Sequence, residues 1–119
     1  MDMDYFVWAI SGGGRTYVVD LGFDRRYERG ARNLLRTPAE GLDLLGVNPA
    51  SVEEVIVTHM HYDHAGSMPD FPNAKFHLQD TEMSFATGRY VHEIGYWDNA
   101  IAYDGRIKSW GHRLQEAGI

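Results

Sequence analysis

Cysteine is absent from the chain. That excludes disulfide staples and thiolate metal ligands, so any metal must be held by nitrogen and oxygen. Basic residues are scarce: eleven Lys and Arg face seventeen Asp and Glu, a formal net charge of -6. The balance argues against an electrostatic grip on nucleic acid or on an anionic membrane. No apolar run is long enough to cross a bilayer, and Met1-Asp2-Met3-Asp4 is acidic where a secretory signal would be basic. Neither a signal peptide nor a transmembrane helix is expected, and the default location is the cytoplasm. Gly12-Gly13-Gly14 lacks the Gly-Lys-Ser/Thr that would make it a phosphate loop, and reads instead as a turn.

What is present is an ordinary globular composition. With 44% hydrophobic and 24% charged residues, disorder of the whole chain is not expected, and 119 residues leave room for one domain. The aromatic and β-branched runs 5–10 and 16–20 flank the glycines and predict a β-hairpin. Residues 25–36 hold five arginines, four of them (Arg25, Arg29, Arg32 and Arg36) at helical spacing. A phosphate or acidic-ligand patch is one reading; a solvated face is preferred.

Thr37-Pro38-Ala39-Glu40 predicts a helix start, with threonine as cap, proline in the first turn and glutamate completing a capping box. Leu42, Leu44 and Leu45 would form the apolar face and Gly46 the stop. Asn48-Pro49 predicts a turn, with Ser51 capping one further helical turn. Val55-Ile56-Val57 suits a buried strand, 75–78 another, and 80–87 a short helix capped by Asp80 and closed by Gly88. Residues 65–67 and 69–72 read as loop.

The densest chemistry follows the Val55 strand. His59-Met60-His61-Tyr62-Asp63-His64 packs three of the six histidines and an aspartate into six residues. Imidazole and carboxylate together suit zinc and neighbouring first-row metals. Alternate residues of an extended chain point the same way, so His59 and His61 can converge on one ion. Asp63 and His64, past a turn, can face a second. The competing reading is a set of surface loop histidines without a ligand.

The order His-x-His-x-Asp-His, here within Thr58 to Gly66, is the signature of the metallo-β-lactamase superfamily, which this chain resembles. Its flanks are similar to the N-acyl-homoserine-lactonase-like branch, through Thr16-Tyr17-Val18-Val19-Asp20-Leu21-Gly22-Phe23-Asp24, 40–47 and 71–78. The resemblance covers about residues 5–90. It implies an α+β fold, the αββα sandwich, of which this chain would form about the first half: a mixed β-sheet with helices on one face. Residues 91–119 show no recognisable resemblance and read as the tail of a single partial domain, 1–119.

The resemblance implies that His59 and His61 bind a first Zn2+, and Asp63 and His64 a second, with other divalent metals as alternatives. It further implies that a metal-bound hydroxide attacks a lactone or ester carbonyl, with Asp63 orienting the nucleophile as the catalytic residue. Tyr62 reads as pocket wall or as packing. Three further ligands lie downstream in the family. Among the remaining histidines, His77 reads as structural, His92 as surface, and His112 as the one stand-in for a missing ligand. The uncovered sheet face would be closed by a homodimer. The alternative function is a truncated, non-catalytic relative that binds at most one metal weakly and acts through association.

Overall fold

In the computed structural model, residues 3–28, 33–88 and 106–118 are described. The expected hairpin forms from β1 (Trp8–Gly12) and β2 (Arg15–Val19), paired antiparallel around Gly13 and Gly14. Both glycines have positive φ (58° and 76°), the left-handed turn geometry that matches strand twist. The first strand starts at Trp8 rather than Tyr5.

After β2 the chain makes a single 3-10 turn, Arg25–Tyr27, before α1 (Pro38–Leu44). Arg29 and Arg32 lie outside the described residues, while Arg25 sits in that turn, exposed and paired with Glu28 and Glu40. The solvated reading of Arg25 holds. The capping box also forms as expected: Thr37 Oγ1 accepts from Glu40 N, and Glu40 accepts from Thr37 N at 2.7 Å. The apolar face of α1 needs correction, since Leu42 alone is buried and Leu44 and Leu45 are about 70% exposed. A seven-residue helix makes barely two turns, so only one leucine points inward. Ser51 is not a cap: Asn48 caps the 3-10 turn that Ser51 ends.

Strands β3 (Glu54–Ile56), β4 (Lys75–Leu78) and β5 (Ile107–Ser109) follow, interleaved with α2 (Tyr62–Ala65), α3 (Asp80–Ala86) and, last, α4 (Trp110–Glu116). The sheet runs in order β1-β2-β3-β4-β5, with β2 to β5 parallel. Residues 106–118, silent in the sequence, thus add a strand and a helix. Asp80 does not cap α3. It is the helix's first residue, and its carboxylate accepts from Gly111 N instead, with Ser109 and that bond holding it below the usual carboxylate range.

The two sheet faces differ. Val18, Val55, Phe76 and Ile107 are mutual cross-strand partners and form one fully buried row. Leu42 of α1 and Ala86 of α3 complete the same core, so these helices cover that face. The opposite face carries Tyr17, Val19, Glu54, Ile56 and His77, with Trp8 and Ile10 more than half exposed. His77 Nε2 lies 2.5 Å from Glu54 Oε2 across β3 and β4, the structural role expected of it. This is a mixed sheet with helices, an α+β unit.

Candidate metal centre

Parallel strands place irregular backbone, and hence chemistry, at their carboxyl ends. Here β2 and β3 end side by side, joined beyond their ladder by Asp20 N donating to Ile56 O at 2.8 Å. Asp20 stands there with φ 58°, the one non-glycine residue with positive φ among those described, and is 1% exposed. A buried carboxylate in a left-handed conformation needs strong partners. Asp20 has them: Thr58 N donates at 2.8 Å, Thr58 Oγ1 at 2.8 and 3.0 Å, and His64 Nδ1 lies 2.8 Å from its Oδ2.

The motif straddles an irregular loop and a helical turn. Asp63 and His64 belong to α2 itself, with His61 at its N-cap position; the sequence had placed a turn before them. Four residues are too few to show helical periodicity. Leu21 N donates to His64 O at 2.7 Å, and Gly66 N to Gly22 O at 2.9 Å, lashing α2 to the end of β2. Gly66 is required by close approach, since a Cβ there would lie 2.2 Å from Tyr62 O and 3.1 Å from Gly22 O. Arg26, off the arginine stripe, is held by Asp24 and donates to Gly66 O at 3.2 Å. Tyr62 packs between Phe23 and Tyr27, with ring centroids 5.4 and 5.7 Å away, as its packing reading expects.

These anchors gather the candidate donors. The His59 ring lies 4.6 Å from His61 and 3.8 Å from His64, centroid to centroid, and His64 Nε2 lies 3.7 Å from Asp63 Oδ2. With Nδ1 directed to Asp20, His64 turns Nε2 toward the cluster, the arrangement in which a carboxylate fixes tautomer and ring direction. Burial first, then the neighbouring His64 and His61, hold His59 below its ordinary value near 6.5, favouring the neutral imidazole that a metal needs.

The unfolded chain binds the proton at higher pH than folded His59, so stability falls as pH drops below about 6.5 and is flat above it. Urea midpoints at pH 7.5 and 5.5 should differ more for the metal-free wild type than for His59→Gln; equal differences would contradict this.

His112 does not join the group among the described contacts. Its Nδ1 lies 3.2 Å from Ser109 Oγ, and its backbone N–H donates to that cap. His92 lies outside the described residues. Asp20 was missed by motif reading. Its only signal was an acid closing the apolar strand Tyr17-Val18-Val19 immediately before Leu-Gly.

Does this donor set fit a metal? Among the described residues, no three His, Asp or Glu side chains form a ready-made cage. The chemistry fits, with three imidazoles and a carboxylate on one patch. Two imidazoles gripping zinc at ~2.0–2.1 Å set their centroids about 5 Å apart, so seating an ion between His59 and His61 opens their 4.6 Å separation by only a fraction of an ångström. That is a side-chain adjustment.

Known proteins resemble this chain in sequence and in fold. The family model described as the metallo-beta-lactamase superfamily matches residues 3–83. A probable metallo-hydrolase of Methanocaldococcus jannaschii is 41% identical over 46 residues, 39% of this chain and 23% of that protein. The N-acyl homoserine lactonase AttM of Azorhizobium caulinodans is 43% identical over 42 residues, 35% of this chain and 16% of AttM. Among solved structures, a quorum-quenching N-acyl homoserine lactone lactonase superposes with TM-score 0.68 at 22% identity, over 87% of this chain and 42% of its own. An N-acyl homoserine lactone hydrolase, with the product N-hexanoyl-L-homoserine at its catalytic metal center, gives TM-score 0.66 at 20% identity, over 87% and 46%. The chain therefore spans less than half the length of these solved proteins. No described helix is long and apolar enough to cross a membrane. Matched over more than half its length by one family model, the chain belongs to the metallo-beta-lactamase superfamily.

Proposed function

We propose that this chain contributes a metal-dependent hydrolytic site acting on a lactone or related ester, as its lactonase-like relatives suggest. The observation that carries the reading is the buttressed donor cluster: His59, His61, Asp63 and His64 meet at the carboxyl ends of two parallel strands, with buried Asp20 behind them.

His59 and His61 would hold one Zn2+, Asp63 and His64 a second, with iron or manganese as alternatives. Such ions, when bound, lower the pKa of water and polarise a carbonyl. Asp63 holds the attacking water by its carboxylate. Asp20 keeps His64 Nε2 turned inward, and Tyr62, edge-on to Phe23 and stacked on Tyr27, fixes the turn that carries Asp63. The remaining ligands that the family resemblance implies lie outside this set of four. The exposed sheet face around Trp8 and Ile10 is where a second layer would cover the sheet, either further chain or a second copy in a homodimer.

The test is ring opening of an N-acyl homoserine lactone, followed by acid release. Turnover should vanish after dialysis against a chelator, return with Zn2+, and be lost in Asp63→Asn. Turnover indifferent to chelator and to Asp63→Asn would overturn the proposal. A chain that binds metal yet never turns over would support the non-catalytic alternative.

A further inference from the structure

The loop between β3 and α2 carries His59 and His61 on irregular backbone, so something outside the ladder must fix its shape. Two of its N–H groups donate to carboxylates from different elements: Thr58 N to Asp20 of the β2 end, and Met60 N to Glu82 Oε1 of α3 at 2.9 Å. Met60 is 1% exposed, with its side chain in the core between the two histidines. Its amide would otherwise be a buried donor without an acceptor.

Glu82 is well placed for that task. It is half-buried on a helix fixed at two points, by Ala86 in the core and by Asp80 accepting from Gly111 N at 3.1 Å. A charged acceptor makes a stronger bond to a peptide N–H than a neutral one. Because alternate residues of an extended segment face opposite ways, the inward Met60 side chain leaves the flanking His59 and His61 facing outward together, and the Glu82 bond fixes the peptide between them. Their rings do lie on one patch, 4.6 Å apart.

We propose that Glu82 is a positioning residue for the metal loop: its carboxylate holds the Met60 peptide so that His59 and His61 face one ion. This rests on the metal reading above, with Glu82 acting through the backbone rather than as a ligand. It also gives α3 a job beyond packing, as a strut between the α4 N-terminus and the histidine loop.

The test combines a metal-free and a metal-loaded readout on the full chain. In the metal-free protein, the Met60 amide should exchange slowly in wild type and Glu82→Gln, which keeps an oxygen acceptor, and quickly in Glu82→Ala. Cobalt(II) titration should then show Glu82→Ala binding about 10–100-fold more weakly with an altered visible spectrum, and Glu82→Gln recovering most of the loss. Met83→Ala, which thins the packing of α3 on the core but leaves the Glu82 carboxylate in place, should lower stability but leave the cobalt spectrum unchanged. If Glu82→Ala does not fold, Glu82→Met, which keeps the side chain's length and loses the oxygen acceptor, takes its place: fast Met60 exchange and weakened cobalt binding are expected, and wild-type behaviour in both would overturn the assignment. A rapidly exchanging Met60 amide in wild type, or cobalt binding by Glu82→Ala equal to wild type, would overturn the assignment. Wild type that binds no cobalt while Met60 stays protected would instead sink the metal reading and leave the Glu82 bond standing.

Discussion

Replacing Asp20 by alanine is expected to cost about 3–4 kcal/mol of stability and to weaken metal uptake roughly 10–100-fold. The carboxylate is buried and engages three groups: the Thr58 amide, the Thr58 hydroxyl and His64 Nδ1. Each orphaned buried donor costs about 1–3 kcal/mol, but Thr58 is exposed enough for water to replace part of the loss. Alanine also inherits φ 58°, a strain of about 1–2 kcal/mol that aspartate tolerates better.

Asp20→Asn separates the contributions. Asparagine accepts the left-handed backbone and can still accept from Thr58 N, so most of the stability should return. Its neutral amide no longer favours the same His64 tautomer, so metal affinity should stay low. Urea unfolding and zinc titration of the two variants check this. Wild-type midpoints and affinities in Asp20→Ala would contradict it.

Gly66→Ala is the second severe change expected, through shape rather than charge. Its φ of -75° suits any residue, so backbone strain is not the reason. The reason is the 2.2 Å approach of a new Cβ to Tyr62 O, with Gly22 O and the Phe23 Cβ close on the other side. Something must shift. The atoms available are backbone of α2 and of the strand end, not the tip of a flexible side chain. We expect a loss near the top of the usual ~1–3 kcal/mol for overpacking. Because α2 carries Asp63 and His64, metal uptake should fall with it, and restoring stability with an osmolyte should not restore uptake. Uptake that returns with stability would show that Gly66 matters to the fold alone.

Local signals were legible and remote partnerships were not. The triple glycine, the Thr37 capping box and the Val55-Ile56-Val57 run each describe a few consecutive residues, and the structure realises all three. The histidine motif showed the family for the same reason. Asp20 and Glu82 escaped because they act on the motif from 44 and 22 residues away, through bonds that exist only once β2 and α3 are docked. Arg26 was hidden by the opposite error: four neighbours at helical spacing drew the eye, while the arginine off that stripe reaches Gly66 O. Three-residue strand β5 is too short to alternate visibly. Leu44 and Leu45 show that an apolar sequence face is not a buried face when the helix ends after two turns.

If the cluster of His59, His61, Asp63 and His64 is a metal site, metal content measured together with mass in solution will reveal it. Purified wild type should carry zinc or a related divalent metal, two ions per catalytically active unit. His59→Ala and Asp63→Ala should lose that metal while keeping the same mass in solution. A metal-free wild type that stays metal-free on titration with zinc, or variants that retain wild-type metal content, would contradict it.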